Sequence, residues 1–146
     1  EQALAKERDF WHVKSYQYNR AILEVPEKQV IKEIKARWQL PAVYLTFLER
    51  FSPASDAFLK GINLYGANTL IKHQCGYAFS SPDDKRFPDW KAHWLVIADK
   101  DADPYILDLS KSDGNDAPIY KAPHGAGEWK WRKVAGSFLE FLEKLS

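Results

Sequence analysis

Residues 94–109 read Trp94-Leu-Val-Ile-Ala-Asp-Lys-Asp-Ala-Asp-Pro-Tyr-Ile-Leu-Asp-Leu109. The compact apolar run at 94–98 suits a central strand, and the run that begins at Tyr105 suits a second strand. The polar segment between the two runs contains the residue types that favour turns. This stretch therefore predicts two neighbouring strands joined by a turn, which form the centre of a sheet.

Shorter runs on both sides of this stretch extend the predicted sheet. The further strand candidates are Ile62–Tyr65, Cys75–Ser80 and Pro118–Lys121. Short strands separated by turn residues are typical of antiparallel sheets. The sequence therefore predicts a mostly antiparallel sheet of four to six strands.

Three amphipathic segments predict helices that pack on this sheet. Apolar residues recur every three or four positions over about 27–38, after Pro26, and a second apolar segment starts at Pro41 and ends near Pro53. The third segment runs from Val134 to Leu145. We expect a single-domain α+β fold over residues 27–146, with two N-terminal helices and one C-terminal helix, preceded by an N-terminal arm or extra helix over residues 1–26.

Composition excludes several classes of protein. The 146 residues are 45% hydrophobic and 28% charged, which argues against a disordered chain, and no apolar run reaches the roughly 18 residues of a membrane helix. A net charge of +1 gives no overall field for nucleic acid or an anionic membrane. The first ten residues are too charged for a signal-peptide core, and the single cysteine allows no internal disulfide. We expect a cytoplasmic protein.

The turn after the first central strand begins like a calcium-binding loop. Asp99, Asp101 and Asp103 have the required alternate spacing, but Pro104 occupies the position of the turning glycine. Ser110 stands where a bidentate glutamate would be needed. The segment is therefore interpreted as a solvated turn, and no metal or other cofactor is expected.

Cys75 is the one candidate for nucleophilic catalysis. The histidines that could activate it are His12, His73, His93 and His124. Its neighbours match no known nucleophile setting, and no second Cys or His pair completes a zinc site. Phosphate-binding glycine loops are also absent. A small Cys-dependent hydrolase stays open as an alternative, although a non-enzymatic protein is favoured.

Binding is favoured by six tryptophans and by an uneven distribution of charge. The segment 99–116 contains six Asp and two Lys, a patch that could meet a basic partner surface. Trp90, and either Trp129 or Trp131, lie among polar and turn-forming residues and are expected near the surface. The basic segment 130–133 is interpreted as a strand or arm rather than a nucleic-acid site. The candidate partner-binding residues are Asp99, Asp101, Asp103, Asp113, Asp116, Trp90 and Trp129.

The order of these features resembles the SUKH superfamily over about residues 27–145. The matching features are Leu40-Pro41, Tyr44-x-x-Phe47-Leu48, Ile62-Asn-Leu-Tyr65-Gly66, Trp94-Leu-Val-Ile97, Tyr105-Ile-Leu-Asp108, Pro118-Ile-Tyr120 and Ala135-x-Ser137-Phe138-x-x-Phe141-Leu142-x-x-Leu145. The resemblance implies kinship with fungal Smi/Knr-type cell-wall assembly regulators and with bacterial immunity proteins that neutralise a cognate toxin.

The leading hypothesis is therefore a bacterial immunity protein that binds a toxin domain stoichiometrically and blocks it sterically. The partner would be a protein, and neither nucleic acid nor a membrane is expected. A regulatory adaptor or a small-ligand-binding module of the cell-wall regulator type is the main alternative. The sequence leaves the oligomeric state, the binding face and the identity of the toxin open.

Overall fold

A computed structural model describes residues 25–53 and 55–145, which adopt an α+β fold. The helices are α1 (Lys28–Arg37), α2 (Ala42–Thr46), α3 (Leu70–His73) and α4 (Phe138–Lys144). The strands are β1 (Ala57–Leu59), β2 (Ile62–Leu64), β3 (Trp94–Lys100), β4 (Asp103–Asp108), β5 (Ile119–Lys121) and β6 (Arg132–Ala135). All six strands form one sheet in chain order, and every neighbouring pair is antiparallel, which confirms the predicted antiparallel sheet of four to six strands.

Strands β3 and β4 form the centre of the sheet, as the sequence predicts. Leu95 pairs with Leu107 and Val96 with Ile106, and all four side chains are buried. Continuous apolar runs are expected here because both faces of these strands are covered. A register shift between Val96 and Ala98 interrupts the hydrogen-bond ladder and changes the direction of the last residues of β3.

Helices α2 and α4 cover one face of the sheet. Phe138 of α4 lies 4.8 Å from Tyr44 and 5.0 Å from Phe47, measured between ring centroids, and Phe141 lies 5.4 Å from Tyr105 of β4. The hydroxyl of Ser137 accepts a hydrogen bond from the backbone of α4 and caps its first turn. Burial of each of these rings contributes about 1.5–3 kcal/mol and holds the helix on the sheet. The predicted start of this segment at Val134 is wrong, because Val134 pairs within β6 and the helix begins at Phe138.

Proline and backbone contacts determine how the first two helices meet. Helix α1 buries Ile31 and Ile34 and ends at Arg37, before Pro41 redirects the chain. Helix α2 follows Pro41 and continues as a π-helical segment, Phe47–Phe51. Its first two N–H groups, which no helix can satisfy internally, donate to the carbonyls at 114 and 115.

The predicted strand Cys75–Ser80 is wrong. Successive turns follow α3 instead, and Cys75 makes only an isolated bridge with Phe79. The side chain of Gln74 takes the place of a strand beside β3, because its amide donates to the Val96 carbonyl at 2.7 Å and accepts from the Val96 N–H at 3.0 Å. An aromatic run favours a strand only where a sheet edge is free to receive its backbone.

The chain-order sheet brings three turns to one end, which we call the hairpin end. It comprises the β1–β2 turn at Lys60–Gly61, the β3–β4 turn at Asp101–Ala102 and the β5–β6 loop at 122–131. An alanine Cβ at Gly61 would lie 3.6 Å from the Lys100 side chain, so the first two turns are neighbours. The predicted arm at 1–26 lies outside the described residues except for 25 and 26.

Candidate functional site

The acidic segment is divided between two ends of the sheet. Asp99, Asp101 and Asp103 lie at the hairpin end, whereas Asp113 and Asp116 follow the opposite end of β4. A six-residue strand spans roughly 17 Å at ~3.4 Å per residue. The predicted partner-binding aspartates therefore form two separate groups rather than one patch.

The β3–β4 turn has a strained backbone. Asp101 has φ 50° and Ala102 has φ 70°, which a two-residue hairpin turn requires and which glycine or asparagine adopts more readily than alanine. Such a conformation costs about 1–2 kcal/mol for a residue with a Cβ. The surrounding structure must therefore hold the turn in place.

Three side chains hold this turn. The hydroxyl of Tyr77 donates to the Ala102 carbonyl at 2.6 Å, and the Tyr65 hydroxyl donates to Asp99. The backbone N–H and the ring of His124 contact the Asp103 carboxylate at 2.9 and 2.6 Å. These contacts, the backbone N–H first, keep the pKa of Asp103 below its usual range. The carboxylate of Asp103 is thus ionised and already partnered.

A half-buried polar cluster supports Tyr65 from behind. Its ring stacks on His73 with centroids 3.9 Å apart, and His73 Nε2 lies 2.5 Å from Asp56. Asp56 also accepts from Thr69 and from Asn63. Burial opposes ionisation of Asp56, but the hydrogen bonds from His73, Thr69 and Asn63 outweigh it and lower its pKa. This network fixes the position of the Tyr65 hydroxyl under the turn.

Asp101 is the exposed charged residue of the turn, and basic residues lie at the same end of the sheet. Lys100 precedes it. Beside Asp103, a cleft of about 330 Å³ is lined by Lys121, Lys130 and Arg132 together with Ala122 and Pro123. The hairpin end therefore carries charge of both signs, which the count of aspartates in the sequence did not indicate.

The two aspartates at the opposite end stabilise the fold. Asp113 accepts hydrogen bonds from the backbone N–H groups of Asp116 and Asn115, which lower the pKa of Asp113. Asp116 accepts from the N–H groups of Phe138 at 2.7 Å and Leu139 at 3.3 Å. Asp116 therefore caps the start of α4 from a distant part of the sequence, where a negative charge also favours the helix dipole.

Replacing Asp116 with alanine should lower the free energy of unfolding by about 1–2 kcal/mol, because two N–H groups at the start of α4 lose their acceptor. Urea denaturation of the two proteins measures the difference. Asp83→Ala is the matched control, since Asp83 is exposed and its side chain accepts no hydrogen bond from any described residue. Equal effects of the two changes would contradict the capping role.

Four tryptophans, Trp90, Trp94, Trp129 and Trp131, form one aromatic cluster, and the predicted exposure of Trp90 is wrong. Trp90 is 3% exposed, and its indole N–H donates to the Trp94 carbonyl at 3.0 Å. Its ring packs edge-on against Trp94, Trp129 and Trp131 with centroids 5.3–5.8 Å apart. The polar residues around Trp90 in sequence point elsewhere, because the β5–β6 loop folds over it. Trp129 and Trp131 are half-buried.

Trp94 places this cluster on the sheet face opposite to α4. Tyr105 contacts α4, so Leu107, two residues later, faces the same side, and its partner Leu95 does as well. Trp94 precedes Leu95 and therefore points the other way. The sheet is covered by helices on one face and by the aromatic cluster with its loops on the other.

His124, Tyr77, Lys121 and Arg132 are residues of this site that sequence reasoning missed. Tyr77 lay in the wrongly predicted strand, and His124 was considered only as a partner for Cys75. The basic residues at 121 and within 130–133 are visible in the sequence. Their proximity to one another is not, because it depends on the pairing of β5 with β6.

The described residues give no support to a metal or thiol site. They contain no group of three His, Cys, Asp or Glu side chains that could hold a metal ion. Within the same ranges, Cys75 makes no hydrogen bond to a histidine, and His12 lies outside them. No helix among these residues is both long and apolar enough to cross a membrane.

Comparison with known proteins agrees with the fold and with the ordered motifs. A comparison with curated proteins gives no match. The model of the SMI1 / KNR4 family (SUKH-1) matches residues 26–144, which include every helix and strand described above. The chain therefore belongs to the SMI1 / KNR4 family (SUKH-1).

Proposed function

We propose that this chain is a non-enzymatic, cytoplasmic immunity protein that neutralises a bacterial toxin domain by binding it stoichiometrically. Membership in the family supports a role in binding partner proteins. The observation that carries the proposal is the β3–β4 turn, whose exposed Asp101 is presented on a strained and firmly held backbone. Strain of this kind is retained where the fold over-determines it, often at binding sites.

The held turn would increase affinity by reducing the entropy lost on binding. A loop that is already ordered does not have to be immobilised by its partner, so more of the contact energy appears as affinity. Asp101 would meet a basic group on the toxin, such as the cationic surface of a nuclease. The hairpin end would then cover that surface and block it sterically, so this chain would not need to catalyse any reaction.

Association kinetics with the captured partner test which end of the sheet binds. Asp101→Ser should slow association about threefold or more at low salt and reduce its salt dependence, because exposed charges act mainly on the encounter rate. Asp113→Ser removes the same charge at the opposite end and serves as the control. A slower rate for Asp113→Ser but not for Asp101→Ser would contradict the assignment to the hairpin end.

Capture and co-expression test the immunity function itself. The purified full chain should retain one dominant partner through a salt wash, and expression of that partner should arrest growth unless this chain is present. Several weak partners without toxicity would indicate a regulatory adaptor instead. Cys75→Ala should protect as well as the unmodified chain, whereas loss of protection with an intact fold would indicate thiol chemistry.

A further inference from the structure

The cleft at the hairpin end combines several cations with little negative charge. It has a volume of about 330 Å³, and its charged lining residues are Lys121, Lys130, Arg132 and Asp103. Three positive side chains against one carboxylate leave a net charge of +2 at neutral pH. Ala122 and Pro123 complete the wall and contribute no charge.

Strand pairing forces two of these cations together. Lys121 of β5 and Arg132 of β6 are directly opposite in the register, so their side chains leave the same face of the sheet. Cβ atoms in such pairs lie about 4.5–5.5 Å apart, and like charges in these positions destabilise a sheet. The ammonium group of Lys121 is held 5.2 Å from the centre of the Tyr105 ring, which fixes its position beside the cleft.

The described residues neutralise this charge only in part. Both contacts that His124 makes with Asp103 go to one carboxylate oxygen, Oδ1. Lys130 lies 3.9 Å from Glu128, but both side chains are exposed, and such a pair is weak. The guanidinium group of Arg132 makes no hydrogen bond or ion pair with any residue in the described ranges.

We propose that this cleft binds a phosphate group carrying two negative charges, either free phosphate or a small phosphate monoester. A phosphate monoester carries about −1.5 to −2 at pH 7, which matches the net charge of the cleft. The guanidinium of Arg132 offers the planar pair of donors that binds oxyanions bidentately, and the two lysines add point charges. The volume is at the small end of ligand pockets, which suits a small ligand rather than a macromolecule. This site does not depend on the proposed toxin partner.

Thermal unfolding and titration calorimetry of the full chain test the proposal. Inorganic phosphate should raise the melting temperature saturably, and more than chloride at equal ionic strength. Lys121→Gln and Arg132→Gln should each weaken phosphate binding at least about tenfold, since each removes a charged hydrogen bond or ion pair. Lys35→Gln, an exposed change on α1, is the matched control and should bind phosphate normally.

The stability of the variants without phosphate shows whether these residues bind a ligand or only stabilise the fold. Without phosphate, Arg132→Gln should be at least as stable as the unmodified protein, because repulsion from Lys121 is relieved. O-phosphoserine that binds more tightly than inorganic phosphate would identify an ester as the ligand, and the reverse order would identify free phosphate. Stabilisation no greater than with chloride, or unchanged binding in both cleft variants, would overturn the proposal.

Discussion

Replacing Gln74 with leucine should lower the free energy of unfolding by about 3 kcal/mol or more, although leucine is apolar and similar in volume. The Gln74 side chain is 1% exposed and makes three hydrogen bonds, to both backbone groups of Val96 and to the Leu70 carbonyl at 2.9 Å. Leucine would leave the Val96 N–H and carbonyl buried without partners. Each unsatisfied buried group costs about 1–3 kcal/mol.

Urea denaturation followed by tryptophan fluorescence measures this loss. Gln39→Leu is the matched control, since Gln39 is exposed and its side chain makes no hydrogen bond with any described residue. That change should alter stability by no more than about 0.5 kcal/mol. If Gln74→Leu were as mild as Gln39→Leu, the amide would not be replacing a strand beside β3.

Replacing Gly66 with alanine should be comparably damaging. An alanine Cβ at this position would lie 2.4 Å from the Pro53 carbonyl oxygen and 2.9 Å from that of Ser55, distances that Cβ atoms do not tolerate. Both obstacles are backbone atoms, so the chain after α2 must move. That shift would also disturb the hydrogen bond from the Ala67 N–H to Ser52. We expect a loss of about 3 kcal/mol, the upper part of the range for overpacking.

Gly136→Ala provides the control for this experiment. Its Cβ would meet only the end of the flexible Glu140 side chain, at 3.1 Å, so the neighbour can move aside. Circular dichroism melts of the two variants should therefore differ widely, with Gly136→Ala close to the unmodified protein. Similar melting temperatures would show that the segment around Pro53 can move without cost.

Local patterns made the centre of the fold predictable. The β3–β4 pair and helix α4 are each encoded within one continuous segment, whose apolar period determines what it becomes. The Pro41 break between α1 and α2 is likewise a local property, because proline cannot continue a helix. For these elements, packing against neighbours reinforces what the backbone already prefers.

Contacts between distant segments decided the features that the sequence did not reveal. Gln74 occupies the edge of β3 from 22 residues away, so the segment after it has no strand partner and forms turns. Trp90 is buried by the β5–β6 loop, which contains Trp129 and Trp131 and lies about 40 residues further along the chain. Polar neighbours in sequence indicate exposure only when no other segment covers the residue.

The candidate site was predictable in its residue types but not in its arrangement. Asp101 and Asp103 fall at one end of β4, and Asp116 at the other becomes a helix cap, because a strand separates them. Charge counted along the chain cannot distinguish these positions. The pairing of Lys121 with Arg132 is equally invisible until the register of β5 and β6 is known.

The chain-order sheet also has a kinetic consequence. Each strand pairs with the next strand in the chain, and most of the connecting loops are short. Little loop-closure entropy is therefore lost when each pair forms. Sheets of this kind fold faster than sheets with the same number of strands but more distant pairings. The long connection between β2 and β3 is the exception, which favours a folding nucleus at the β3–β4 hairpin that grows outward. Stabilising changes in the edge strands β1 and β6 would then slow unfolding without accelerating folding.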